Sequence, residues 1–252
     1  MYPSKIERLN KIINPSTRRT IIVPLDHGVS DGPMDGLVDM AATIRAIKVG
    51  GADALVLHKG MITRYRETIG NFPVLLHVSA STGLGVVLRK VLVATPQEAL
   101  NLGCAGVSIH INMNNQYEPE MLHDLGQVSR ECNELGLPLL VMMYVRDIVD
   151  GRVVTAKDPE LVKHAARVAA ELGADMVKVS YTGSPESFAE VVRGCGIPVV
   201  IAGGAKESEE AMLGTIGDSL TAGGAGVSCG RNVFQHEDVA GMLGKIKKLV
   251  HH

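Results

Sequence analysis

GGADALVLH (residues 50–58), GCAGVSIH (103–110), GADMVKVS (173–180) and GGAGVSCG (223–230) are one phrase written four times: glycine, one or two small residues, then an apolar run. FPVLLHVS (72–79), LPLLVMMY (137–144) and IPVVIAGG (197–204) are a second phrase, with proline ahead of a similar run. The two phrases alternate, and RTIIVPLDHG (19–28) adds one more run at the start, so the chain holds eight. Continuous runs of Val, Ile and Leu suit strands buried on both faces, as in a parallel sheet covered by helices. Helical segments fill the gaps. DPELVKHAARVAAELG (158–173) and SPESFAEVVRGCG (184–196) each open with a capping residue and an N1 proline and close at glycine.

Alternating strands and helices with right-handed crossovers give a closed barrel or a doubly wound sheet. Eight strands close a barrel with a filled interior. The first strand–helix turn, DHGVSDGP, also lacks the G-x-G-x-x-G of a dinucleotide-binding sheet. The expected fold is therefore α/β, a (β/α)8 TIM barrel, in one domain over residues 1–252 with a short N-terminal helix. KVLVAT (90–95) is a ninth strand-like run, read as an excursion between strands three and four.

Bulk properties agree. The 252 residues match the roughly 250 typical of a one-domain α/β barrel. The net charge of −2, with both signs spread along the chain, points to no nucleic-acid or membrane partner. MYPSKIERLNKII at the start is charged and amphipathic, without the apolar centre of a secretion signal, so a cytoplasmic protein is expected. Four cysteines without a CxxC read as reduced, buried thiols. His251-His252 at the end reads as the start of a tag and is set aside.

Barrel enzymes place their chemistry at the C-terminal ends of the strands. The polar residues there are Asp26-His27, His58-Lys59, His77, His110, Tyr144, Lys178-Ser180, Gly203-Gly204 and Gly230-Arg231. Alternation sets Met176, Lys178 and Ser180 on one face and Val177 and Val179 on the other, so Lys178 points into the barrel. A desolvated amine is what attack on a carbonyl requires. The alternative is a buried lysine paired with a carboxylate, and Asp26 is within reach of that role. Asp26 reads as a proton-moving carboxylate or a turn residue, and Tyr144 as a proton donor or a rim aromatic. Glycines after strands seven and eight, with the Arg231 fork, suit a phosphate, although turn glycines look the same. His27, His58, His77 and His110 end the first four strands. They read as wall residues or proton shuttles in preference to ligands of a metal-dependent lyase, since no local ligand spacing such as HxH is present. No metal and no organic cofactor is expected.

PLDHGVSDGP (24–33), SASTGLG (79–85), MMYVRD (142–147), VKVSYTG (177–183), IAGG (201–204) and GVSCGRNVFQ (226–235) resemble, in order, the archaeal-type class I fructose-bisphosphate aldolase family. The likeness runs from about residue 5 to 250. It implies a homo-oligomer on a pentameric ring, a pentamer or a decamer. It implies a Schiff base on Lys178, a proton acceptor at Asp26 and a proton donor at Tyr144. Substrate-binding positions fall on Asp26, His27, Gly28, Val29 and Ser30, on Tyr144, Val145 and Arg146, on Gly203 and Gly204, and on Gly230 and Arg231. Two branches compete. DHGVS, with no tryptophan in the chain, resembles the synthase branch, which joins a phosphorylated deoxy-diketohexose to L-aspartate semialdehyde on an alternative route to 3-dehydroquinate and aromatic amino acids. The other branch cleaves fructose bisphosphate, and there DHGIEHGP is the common reading. Val145 and Asp147 depart from the family pattern.

Overall fold

The computed structural model describes residues 2–252. Eight parallel strands close into a barrel: Thr20–Pro24, Ala54–Leu57, Val74–His77, Gly106–Met113, Leu139–Val149, Met176–Val179, Val199–Ala202 and Gly226–Ser228. Each pairs with its sequence neighbours, and the eighth returns to the first through Ile22 opposite Ser228. All eight lie within the repeated phrases or extend beyond them. The repeat reflects one junction. A helix ends in a left-handed glycine, as at Gly173 (φ 92°), where only glycine avoids a Cβ clash. The phrase then turns straight into the strand. In two copies its aspartate accepts from the neighbouring strand: Asp53 from the Ile21 N–H at 2.7 Å and Asp175 from the Leu139 N–H at 2.8 Å.

Helices predicted from their caps appear there. Pro159–Glu171 is capped by Asp158 on the N–H groups of Glu160 and Leu161, and Pro185–Cys195 by Ser184 on that of Ser187. Outward strand residues such as Val177 and Val179 pack under these helices, while Ile22, Val56, Leu75, Leu140, Met142, Met176 and Val200 fill the barrel itself. Among the described residues no helix is long and apolar enough to cross a membrane.

The N-terminal helix, Pro3–Ile12, closes the bottom of the barrel. Ile12 and Ile13 join the interior cluster, and buried Lys5 pairs with Asp175 at 2.8 Å. His251 belongs to the fold and not to an appendage: its ring lies 2.9 Å from both Asp53 and Thr17. The 90–95 run is an excursion, as read. Val91–Leu92 pairs antiparallel with Ser79–Ala80 as a separate ribbon between the third and fourth barrel strands. Strand five runs on past the barrel into a hairpin with Arg152–Thr155, turning at Asp150-Gly151 with both φ angles positive. Asp-Gly with Ile148 and Val149 before it and Val153 and Val154 close behind is a strong hairpin signal.

Candidate active site

A cavity of about 640 Å³ opens at the C-terminal end of the barrel. Six cationic side chains line it (Lys90, Arg146, Lys157, Lys178, Lys206 and Arg231) against three carboxylates, Asp26, Asp31 and Glu207. This excess of positive charge around the cavity is suited to an anionic ligand.

Lys178 sits at its base, 7 % exposed, in register with Met142 on strand five and Val200 on strand seven. The flanking valines face the helices as alternation requires. Asp26 does not pair with it. Asp26 lies 3.6 Å from His27 Nδ1 and 3.6 Å from His77 Nε2, and its Oδ1, like His27 Nδ1, is buried without a hydrogen bond. Among the described residues Lys178 has no carboxylate within 4.0 Å, so the buried ion pair is not formed.

Burial by itself would raise the Asp26 carboxyl. The fields of His77, His27, Lys178 and His58 outweigh it and hold Asp26 at about 2. His77 is driven down to about 4 by burial, against the pull of Asp26. Burial also lowers His27 and His58, and it takes His110 well below the usual imidazole value. At neutral pH the carboxylate is therefore charged, and it stands beside neutral imidazoles. Those rings are anchored within the wall: His77 Nδ1 lies 2.8 Å from Ser108 Oγ, and His110 Nε2 lies 2.9 Å from Asn112 Oδ1. Among the described residues no three His, Cys, Asp or Glu side chains converge to hold a metal ion.

These histidines set an acid limit on stability. Folded His77 titrates near 4 and an unfolded histidine near 6.5, so between those values the unfolded chain binds a proton that the folded chain refuses. Stability rises with pH through this window and is lost as pH falls from 6.5 to 4, by about 3 kcal/mol for His77 alone at the lower end. Thermal midpoints measured from pH 7 to pH 4 should fall accordingly. They should fall less steeply in His77→Asn, and an equal slope in that variant would refute the assignment.

Tyr144 also lines the cavity, with the Arg146 guanidinium 4.5 Å from its ring centre and the His110 ring 5.0 Å away. Arg146 donates to Thr155 Oγ1 at 3.0 Å, across the base of the hairpin. On the opposite wall, Arg231 donates to the Gly204 carbonyl at 2.8 Å, and its Nε is buried without a partner. The glycines there have separate reasons. A Cβ on Gly203 would lie 2.6 Å from Cys229 Cβ, and one on Gly230 would lie 2.6 Å from the His27 ring. Gly204 has open space but a φ of 67°. Asn232, absent from the sequence reading, ties this loop down: its amide donates to the carbonyls of Gly203 and Ala205 and accepts from the Glu207 N–H. Its only sequence signal was its place next to Arg231.

Of the residues picked from sequence, Asp26, His27, Val29, Ser30, Tyr144, Arg146, Lys178, Gly203, Gly204, Gly230 and Arg231 meet around the cavity. Gly28 lies outside its lining, and Val145 packs outward into the helix-facing core. Asp147 is exposed and accepts from the Ile148 N–H at 2.7 Å, away from the cavity.

A closed barrel with a desolvated lysine under a cationic cavity defines a class I, lysine-dependent barrel aldolase. The DeoC/LacD family aldolase model matches residues 20–236. The chain is 40 % identical to 2-amino-3,7-dideoxy-D-threo-hept-6-ulosonate synthase of Halobacterium salinarum, over 98 % of this chain and 91 % of that one. It is 36 % identical to 2-amino-4,5-dihydroxy-6-oxo-7-(phosphonooxy)heptanoate synthase of Streptomyces griseus, over 97 % and 89 %. It superposes with a TM-score of 0.89, at 32 % identity, on an archaeal fructose-1,6-bisphosphate aldolase whose catalytic lysine carries the carbinolamine intermediate, covering 98 % of this chain and 100 % of that one. The chain belongs to the DeoC/LacD aldolase family.

Proposed function

We propose that this enzyme joins a phosphorylated deoxy-diketohexose to L-aspartate semialdehyde, giving 2-amino-3,7-dideoxy-D-threo-hept-6-ulosonate on an alternative route to 3-dehydroquinate and aromatic amino acids. The observation that carries the reading is Lys178, held in an apolar setting without a carboxylate partner and facing a cationic cavity. The 40 % identity with the Halobacterium salinarum enzyme supports the choice of substrates.

Lys178 Nζ adds to the donor ketone, and loss of water leaves an iminium. The neighbouring C–C bond breaks as its electron pair moves into the enamine, and the aldehyde fragment departs carrying the donor phosphate, since the product has none. The enamine carbon then attacks the semialdehyde carbonyl, and water hydrolyses the product from Lys178. Asp26, as the carboxylate, accepts a proton. The Tyr144 hydroxyl supplies one to the new alkoxide. Gly203, Gly204, Gly230 and Arg231 anchor the donor phosphate through backbone N–H groups and the guanidinium, so binding remote from the reacting carbon fixes the geometry. His27, Val29 and Ser30 complete the wall above Asp26. No cofactor takes part.

A second reading, cleavage of fructose 1,6-bisphosphate, is favoured by the six cationic side chains around the cavity, enough to meet two phosphates. Separate incubations with the deoxy-diketohexose phosphate and the bisphosphate, each with and without L-aspartate semialdehyde, distinguish the two. The heptulosonate should form only with the first donor and the semialdehyde together. Cleavage of the bisphosphate alone, with no heptulosonate, would overturn the main reading.

We read residues 1–252 as one catalytic domain acting in the cytoplasm as a homo-oligomer on a pentameric ring. Four unpaired, buried cysteines support a reducing compartment. Exposed Ile148, Val149, Val153 and Val154 on the strand-five hairpin support self-association.

A further inference from the structure

Ser108 takes no part in the mechanism above, yet it starts a buried chain of side chains that ends on Asp26. It lies on strand four, fully buried, in register with His77 on strand three. Alternation turns both residues into the barrel, since Leu76, Val107 and Ile109 beside them pack against the helices. The Ser108 hydroxyl lies 2.8 Å from His77 Nδ1. Across the ring, His77 Nε2 lies 3.6 Å from Asp26 Oδ2. His77 is only 3 % exposed, so bulk water does not compete for either nitrogen.

The imidazole is uncharged at neutral pH, because burial takes His77 down to about 4, and it therefore carries one ring proton. With that proton on Nδ1, the Nε2 lone pair would face the charged Asp26 carboxylate and repel it. With the proton on Nε2, an N–H dipole points at the carboxylate, and Nδ1 accepts from the Ser108 hydroxyl. The hydrogen bond made by one ring nitrogen thus sets the state of the other. Among the described residues the Ser108 hydroxyl makes no other hydrogen bond, so its proton is free for this use. At 3.6 Å the His77 N–H stands just beyond hydrogen-bond length from Asp26, and such bonds are often long before substrate binds and tighten with it.

The two oxygens of Asp26 are unlike as a result. Oδ2 faces a nitrogen whose proton is fixed from behind by Ser108. Oδ1 faces His27 Nδ1 at 3.6 Å, and both of those atoms are buried without a hydrogen bond. An unpartnered carboxylate oxygen at the cavity wall is the more basic of the pair, because no N–H is directed at it.

We propose that Ser108 is a positioning residue for proton transfer: its hydroxyl locks His77 as the Nε2–H tautomer, which holds Asp26 Oδ2 and leaves Oδ1 as the oxygen that accepts the substrate proton. This rests on the reading of Asp26 as the proton acceptor.

The test begins with nitrogen-15 NMR of the histidine rings at pH 7, the His77 signals being assigned by their loss in His77→Gln. Wild type should show a protonated Nε2 and a bare Nδ1 at His77, and Ser108→Ala should mix the two tautomers. In that variant kcat should fall about tenfold, a part of what a positioned proton-transfer group supplies. KM and the yield of borohydride-trapped phosphoketose should hold, which also shows that the barrel is folded. His77→Gln, whose amide can still turn an N–H to Asp26, should keep more activity than His77→Leu. In an Asp26→Asn background Ser108→Ala should cost nothing further, whereas a merely structural serine would cost the same in both. An Nδ1–H ring in the wild type, unchanged kcat in Ser108→Ala, or an equal further loss in the Asp26→Asn background would overturn the proposal. If the wild type turns over neither donor, the proposed function has failed and the tautomers decide alone: mixing in Ser108→Ala supports the proposal, and an unchanged Nε2–H ring overturns it.

Discussion

Lys178→Met should abolish turnover, with a loss on the order of a millionfold, the scale seen when a covalent nucleophile is removed. Methionine keeps the length and the apolar stem but offers no amine, so no imine forms and the C–C bond has no electron sink. The replacement should not harm the fold. Position 178 lies between Met142 and Val200 in the barrel interior, beside a cluster that includes Met176 and Leu140, and a thioether is better placed there than an unpaired ammonium. A thermal midpoint at or above that of the wild type is the expected companion result. Incubation of the wild type with a phosphorylated ketose and borohydride should leave the adduct mass on the peptide carrying Lys178, and the variant should show none. An adduct that persists in the variant, on the peptide carrying Lys90, would move the nucleophile to the other buried lysine of the cavity.

Asp26→Asn should lower kcat by about 10²- to 10⁴-fold, the usual contribution of a positioned proton-transfer group. The asparagine has the shape of the carboxylate and cannot accept a proton. Imine formation should survive, because Lys178 needs no contact with Asp26 to attack, so borohydride trapping separates this lesion from the loss of Lys178. The two together should decide the order of events: no adduct without the amine, adduct without turnover in the absence of the carboxylate. Asp26 is held at about 2, so it remains ionised wherever the barrel is folded, and the acid limb of the wild-type rate profile should not belong to it. That limb should instead track the loss of stability as the buried histidines protonate. Wild-type kcat in Asp26→Asn would remove Asp26 from the mechanism.

Much of this site was legible because the fold is a repeat. Each copy of the glycine phrase marks where a helix ends and a strand begins. Counting along the strand then places Lys178, Tyr144 and the glycine pairs at one rim, and alternation turns Lys178 inward between two valines. Lys90 could not be found that way. It lies on an excursion outside the repeat, where periodicity assigns no face, and its burial follows from a two-stranded ribbon folding over the rim.

The pairing of Asp26 was also beyond the sequence. An inward lysine and a strand-end aspartate suggest an ion pair, but the closed barrel sets Asp26 between His27 and His77 and leaves Lys178 free of it. Val145 shows the same limit at finer grain: adjacent to Tyr144 and Arg146 in the chain, it alternates to the opposite face and packs under the helices.

The sequence by itself determined the strand–helix alternation, the eightfold count, the helix caps and the inward lysine, because these follow from periods of two and 3.6 residues and from the local conformational needs of glycine and proline. The tertiary structure alone decided which charges meet or are buried: the histidine setting of Asp26, the burial of Lys90, the N-terminal helix as plug and His251 at Asp53. Those contacts join residues far apart in the chain, and their energies depend on burial and distance, which exist only once the barrel has closed.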